Sequence, residues 1–86
     1  MKNIKPLKLN KDEQQFLLGK LVEKHKKDLM SAMVQEFIYA QEYRKPTNIS
    51  KSEAEEGVAS YQKRIQYLSE NIEAIKIYAE FHKINI

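Results

Sequence analysis

Few residues in this chain have the chemistry that catalysis or metal binding requires. The 86 residues include two histidines and no cysteine, which excludes thiol nucleophiles, disulfides and cysteine-based zinc sites. Metal centres in helical bundles use Glu-x-x-His pairs, and that pattern does not occur. The sequence also has no glycine-rich phosphate loop and no recognisable Ser-His-Asp motif. We therefore expect no cofactor, no metal site and no enzymatic activity.

Three titratable residues stand out as isolated candidates. His25 and His82 both fall on apolar helix positions, where a packing role is more common than ligation. Glu36 falls on the apolar arc of the first predicted helix. We expect its carboxylate either to reach a tyrosine hydroxyl such as that of Tyr61 or to lie at the edge of the helix bundle. A single acid with no base or nucleophile beside it does not make an active site.

Lysines are concentrated towards the N-terminus. Residues 1–27 carry eight lysines and three acids, whereas the whole chain has a net charge of only +3. Lys20, Lys24 and Lys27 share one polar helix face, which favours contact with the phosphates of RNA or DNA. The alternative is an ordinary solvated helix face. No arginine or aromatic residue is interleaved with these three lysines to read or stack on bases, so nucleic-acid binding is the second hypothesis.

Capping signals predict two long helices. Asn10 with Glu13, and Ser50 with Glu53, each match a capping box, while Pro46 disfavours helical geometry before it. These signals predict a basic extended arm over 1–9 and a single all-α domain over 10–86. Within that domain we expect a helix at about 10–45, a loop at 46–50 and an antiparallel helix at about 51–83.

The apolar spacing supports a coiled-coil-like hairpin. The second helix repeats apolar residues at alternating steps of four and three, which is typical of a coiled-coil seam. Its members are Ala54, Val58, Tyr61, Ile65, Leu68, Ile72, Ile75, Ala79 and His82. The first helix offers a matching arc of Leu18, Val22, His25, Leu29, Ala32, Met33, Ala40 and Tyr43. The alternative is a three-helix bundle with a break near 28–31, which no glycine or proline marks.

A second apolar stripe remains on each helix after the seams have paired. The stripes comprise Met30, Val34, Phe37 and Ile38 on the first helix and Tyr67, Ala74, Tyr78 and Phe81 on the second. If both stripes were exposed to solvent, the apolar patch would be larger than most monomers tolerate. A chain this short also has a small free energy of unfolding. We expect the stripes to form a partner interface, with a four-helix bundle homodimer as the first choice and a different protein as the alternative.

The sequence carries no targeting signal. No stretch approaches the roughly 18 apolar residues of a membrane span, and the N-terminus lacks the apolar core of a signal peptide, which favours a cytoplasmic protein without membrane association. In architecture and composition the chain resembles plasmid-encoded RNA-modulator four-helix dimers and phage-encoded inhibitors of host proteins such as anti-CRISPRs. This resemblance implies a non-catalytic protein-protein interaction module, such as a phage or mobile-element inhibitor or adaptor that binds a host or defence protein. The alternative is an RNA- or DNA-binding four-helix dimer.

Overall fold

A computed structural model describes residues 5–86 of the chain. Helix α1 (Lys11–Arg44) and helix α2 (Lys51–Phe81) pack against each other as a hairpin. The all-α hairpin predicted from the sequence is therefore confirmed. Helix α1 continues without a break through 28–31, so the three-helix alternative is not adopted. Lys2, one of the lysines of the expected basic arm, lies outside the described residues.

Both helices begin with side-chain caps. The Asn10 carboxamide oxygen accepts from the Glu13 N–H at 2.8 Å, and the Glu13 carboxylate accepts from the Asn10 N–H at 3.0 Å. This is the predicted capping box. At the second cap the Ser50 hydroxyl accepts from the Glu53 N–H at 3.1 Å, but it also donates to the Glu53 carboxylate at 3.2 Å. The second box differs from the prediction because Glu53 bonds the hydroxyl of Ser50 and not its backbone N–H.

Glu42 holds the loop between the helices. Its carboxylate accepts from the Thr47 hydroxyl at 2.6 Å, from the Thr47 N–H at 2.9 Å and from the Asn48 N–H at 3.2 Å. These hydrogen bonds, the Thr47 hydroxyl first, lower the pKa of Glu42 to about 2 because they favour the ionised carboxylate. The loop is therefore tied to the last turns of α1.

Helix α2 ends two residues earlier than the sequence predicts. Lys83 adopts a left-handed backbone with φ of 56°, and its N–H donates to the Glu80 carbonyl at 3.1 Å. The Ile84 N–H donates to the Ala79 carbonyl at 2.7 Å, which completes a Schellman motif. Burial of Ile84 supplies the apolar contact that accompanies this motif and directs the chain away from the helix axis.

The seam follows the predicted pattern closely on α2 and less closely on α1. The buried side chains of the core are Ala32, Ala54, Leu68, Ile72, Ala79 and Ile84. His82 was expected in the seam but is exposed beyond the end of α2, with its ring 4.3 Å from that of Tyr78. On α1 the expected Met33 is 48% exposed, whereas Tyr39 is half-buried. The α1 seam therefore passes through Glu36 and Tyr39.

Polar residues in the seam are only partly satisfied. The Nδ1 atom of His25 is buried and, within residues 5–86, has no hydrogen-bond partner. Glu36 is half-buried. Among the hydrogen bonds described for residues 5–86, none joins Glu36 to Tyr61, which instead stacks on Tyr39 with ring centroids 5.8 Å apart.

Candidate interaction surfaces

The hairpin is a single layer of two helices. Its principal extents are 53 Å along the longest axis and 17 Å along the shortest. The accessible surface is 7410 Å², whereas a compact monomer of 10.2 kDa exposes about 5,300 Å². The surplus of about 2,000 Å² comes from two broad faces that no third helix of residues 5–86 covers and from the exposed arm at 5–10, whose Leu7 and Leu9 line the edge of one face. Any binding site on this molecule is therefore expected on a face and not in an enclosed cavity.

Two grooves identify the two faces. The first groove, of about 470 Å³, is lined on α1 by Gly19, Val22 and Lys26. The second groove, of about 330 Å³, is lined on α1 by Leu17 and Leu21. At 100° per residue Gly19 and Lys26 lie on one side of the seam, and Leu17 and Leu21 lie on the other side. Both grooves extend across the seam to α2.

Each face takes its name from one groove residue. The Gly19 face is the side of the first groove, which reaches Lys76 and Glu80 on α2. The Tyr78 face is the side of the second groove, which Tyr78 of α2 lines.

The two predicted stripes lie mainly on different faces. Met30 and Phe37 follow Lys26 by four and eleven residues, which places them on the arc of the Gly19 face. Tyr67 and Ala74 precede Tyr78 by eleven and four residues, which places them on the Tyr78 face. A single two-fold interface that buries both stripes, as expected from the sequence, is therefore not compatible with this arrangement.

The remaining predicted interface residues complete the two sets. Phe81 follows Tyr78 by three residues and is 80% exposed on the Tyr78 face. Val34 lies along the outer edge of α1, opposite the seam, and Ile38 lies towards the Tyr78 face. All eight residues of the predicted stripes are exposed in the hairpin, so the hairpin itself covers neither stripe.

Sequence reasoning missed several exposed apolar residues. These are Leu7, Leu9, Phe16, Leu17, Leu21, Ile77 and Ile86. Leu17 and Leu21 extend the Tyr78 face across the seam onto α1. Their spacing of four residues, off the predicted seam, is the signal that could have found them.

The Tyr78 face combines apolar rings with polar edges. The Tyr78 hydroxyl donates to the Gln14 side-chain carbonyl at 3.1 Å across the two helices. The ring of Phe81 packs edge-on against His82 with centroids 5.1 Å apart. Tyr67 extends the stripe towards the middle of α2 and is 57% exposed. Such rings offer large contact area at small conformational cost.

The lysine face is electrically mixed. Lys20, Lys24 and Lys27 line one shallow cleft together with Glu23 and Asp28. The Lys20 ammonium lies 3.9 Å from the Glu23 carboxylate, and all three lysines are exposed. The structure thus brings the three predicted lysines together, but two carboxylates between them reduce the positive potential that phosphate binding needs.

Residues 5–86 contain no group of three or more histidine, aspartate or glutamate side chains arranged to hold a metal ion. Neither helix within that range has the length and apolar character needed to cross a membrane.

Comparison of the chain with protein-family models, with curated proteins and with solved structures finds no match.

Proposed function

We propose that this protein is a non-catalytic interaction module that binds another protein through its Tyr78 face. The observation that carries the proposal is the exposed stripe of Tyr67, Tyr78 and Phe81 on a helix whose opposite side is anchored in the seam. Binding of a partner would bury these apolar rings. Because α2 is already folded in the hairpin, this binding would not have to order the helix. In this role the protein acts by occupying a surface of its target, as a small inhibitor or adaptor does.

The composition of the Tyr78 face supports a protein target. Tyrosine is enriched among the residues that dominate protein-protein binding energy, and its hydroxyl tolerates water when the face is free. The apolar residues of α1 on this face, Leu17 and Leu21, widen the stripe into a patch. Patches of this kind on small proteins commonly mark interaction sites.

A small inhibitor or adaptor from a phage or mobile element, directed at a host or defence protein, is the setting we propose. A small hairpin with one exposed binding face suits such a role because binding alone, without turnover, produces the effect. The resemblance to phage-encoded inhibitors rests on architecture and composition, so it supports the class of activity and identifies no target.

Affinity capture from source cells tests the proposal when it compares three proteins. Wild type is compared with Tyr67→Lys, which puts a charge on the Tyr78 face, and with Ile77→Lys, which puts the same charge on the outer edge of α2. We expect wild type and Ile77→Lys to retain one protein that Tyr67→Lys loses. Equal retention by all three would contradict the proposal.

Nuclease treatment and salt separate protein binding from nucleic-acid binding. Contacts between lysines and phosphates weaken steeply as salt rises, whereas apolar docking does not. We expect the captured protein to survive both nuclease and raised salt. Loss of the captured material in both arms, together with its loss in the Lys20→Glu/Lys24→Glu/Lys27→Glu variant, would instead assign the function to the lysine face.

A further inference from the structure

The Gly19 face alternates exposed rings with grooves along α1. Phe16 and Phe37 are 63% and 62% exposed on this arc. The groove beside Gly19 measures about 470 Å³. Another groove on the same face, called here the Ala40 groove, measures about 370 Å³. Two protruding aromatic rings and two apolar depressions of side-chain size therefore share one helix face.

The rings and the grooves have the same spacing. Phe16 and Phe37 are 21 residues apart, and so are Gly19 and Ala40. Twenty-one residues are three heptads, or about 32 Å of helix, so the two members of each pair hold the same position relative to the heptad seam. When an identical α1 is placed antiparallel on this face, a register that puts one ring into one groove puts the other ring into the other groove.

We propose that a second copy of this chain docks on the Gly19 face with the two α1 helices antiparallel. Phe37 of each copy enters the Gly19 groove of the other, and Phe16 of each copy enters the other's Ala40 groove. The interface is isologous, since a two-fold axis repeats every contact. It buries Met30 near the centre of the contact and leaves the Tyr78 face free.

Gly19 has no other packing explanation within one hairpin. A Cβ built at Gly19 has no atom within 4 Å, although a glycine in a helix interior is less stable than an alanine. Gly57, the other helical glycine, contacts the ring of Tyr39 closely and is explained by the hairpin itself. Docking of the second copy's Phe37 explains why Gly19 lacks a side chain.

Charge supports the same register. The alignment that opposes Gly19 to Phe37 also opposes Arg44 to Asp12 of the second copy at both ends of the contact. Both side chains are exposed in the hairpin, so they are free to pair. The antiparallel helices also set opposite dipole ends side by side.

The free surface is large enough for this dimer. A stable interface buries about 600 to 1,000 Å² on each partner, and the surplus of about 2,000 Å² over a compact monomer is shared between the two faces and the exposed arm, which leaves an area of that order for one face. The Gly19 face therefore accommodates a standard interface. The inference does not depend on the proposed function, because a different face carries that function.

Disulfide trapping tests the register, since the chain has no cysteine of its own. Asp12→Cys/Arg44→Cys places two thiols 32 residues apart on one helix, about 48 Å, so they cannot pair within a chain. We expect mild oxidation to convert this variant to a covalent dimer. Asp12→Cys/Glu23→Cys is the out-of-register control, because in the proposed register none of its cysteines lies opposite another cysteine, and it should stay monomeric on a denaturing gel. Equal trapping of both pairs, or of neither, would overturn the proposal.

Two further substitutions test the ring and the groove. Phe37→Lys in the Asp12→Cys/Arg44→Cys chain should abolish trapping while circular dichroism shows unchanged helix. Gly19→Leu fills the groove from within, so the dimer dissociation constant should rise by about tenfold or more without loss of helix. Trapping that persists with Phe37→Lys, or a dissociation constant unchanged by Gly19→Leu, would show that these residues do not dock.

Discussion

The ring of Tyr39 on α1 lies directly against the backbone of α2 at Gly57. A Cβ at this position would overlap three atoms of the ring. The same ring stacks on Tyr61 with a centroid distance of 5.8 Å. Gly57 therefore sets how closely the helices approach near the loop, where the seam also carries the polar residue Glu36.

Gly57→Ala tests this close approach. We expect the substitution to destabilise the hairpin by about 1 to 3 kcal/mol, because the new methyl group forces Tyr39 to move in a packed site. Chemical denaturation measures the change. In a Tyr39→Ala background the same substitution should be neutral or stabilising, since alanine favours helix over glycine. A similar loss in both backgrounds would show that the ring is not the cause.

Leu68 should contribute more to stability than Ile65, its neighbour in the α2 seam. Leu68 is 2% exposed, whereas Ile65 is half-buried. Leu68→Ala should cost about 2 to 5 kcal/mol by leaving a cavity, and Ile65→Ala should cost less because water already reaches part of its side chain. Urea denaturation of both variants measures the difference. Equal losses would contradict the burial pattern.

The hydrogen bonds from Thr47 and Asn48 to the Glu42 carboxylate form a clamp on the loop. This clamp predicts that stability depends on pH. The pKa of Glu42 falls from 4.5 to about 2 in the fold, so the folded state releases this proton more readily than the unfolded state does. Its stabilisation is therefore complete above pH 4.5 and is lost as pH falls towards 2. Glu42→Gln should lower the melting temperature at neutral pH, and the difference from wild type should shrink as pH falls.

The matched control for the clamp is Glu73→Gln, which removes an exposed carboxylate of α2. It should leave the wild-type profile of melting temperature against pH nearly unchanged. Hydrogen exchange at the Thr47 and Asn48 amides, which donate to Glu42, gives an independent readout. Unchanged protection of both amides in Glu42→Gln would contradict the clamp.

Lys83→Gly should stabilise the protein. Lys83 has a positive φ, which costs a residue with a Cβ about 1 to 2 kcal/mol relative to its ordinary conformations. Glycine removes that cost but raises the entropy of the unfolded chain, so we expect a net gain of about 1 kcal/mol. Thermal unfolding measures it. Lys63→Gly, in the interior of α2, should lose about 1 kcal/mol, and a loss at both positions would contradict the Schellman geometry.

Much of the fold could be predicted from sequence because the relevant signals are local. The Asn10 cap, Pro46 and the unbroken spacing on α2 act within one helix or one turn. The α1 seam was less accurate because Glu36 interrupts its apolar pattern, so Met33 was assigned to the seam and Tyr39 was missed. The turn after α2 has lysine at position 83, where glycine is the usual signal for a left-handed residue. Ile84 was therefore the remaining sequence signal for this turn.

The separation of the two faces depends on the sign of an angle. The sequence pattern gives both the size and the sign of the angle between a stripe and its own seam, and in an antiparallel hairpin the sign decides the side on which the stripe lies. The predicted interface rested on the size of the angle alone, which does not separate Phe37 from Tyr78. The grooves beside Gly19 and Ala40 depend on the side chains of both helices, so they had no counterpart in the sequence pattern.

Light scattering on the intact chain tests the central claim, that the uncovered faces are binding surfaces and that a second copy occupies one of them. Wild type at micromolar concentration should have twice the chain mass of 10.2 kDa. Phe37→Lys should shift towards the monomer, while Tyr67→Lys, with the same charge on the other face, should keep the dimer mass. A wild-type monomer, or a dimer lost with Tyr67→Lys and kept with Phe37→Lys, would contradict the account.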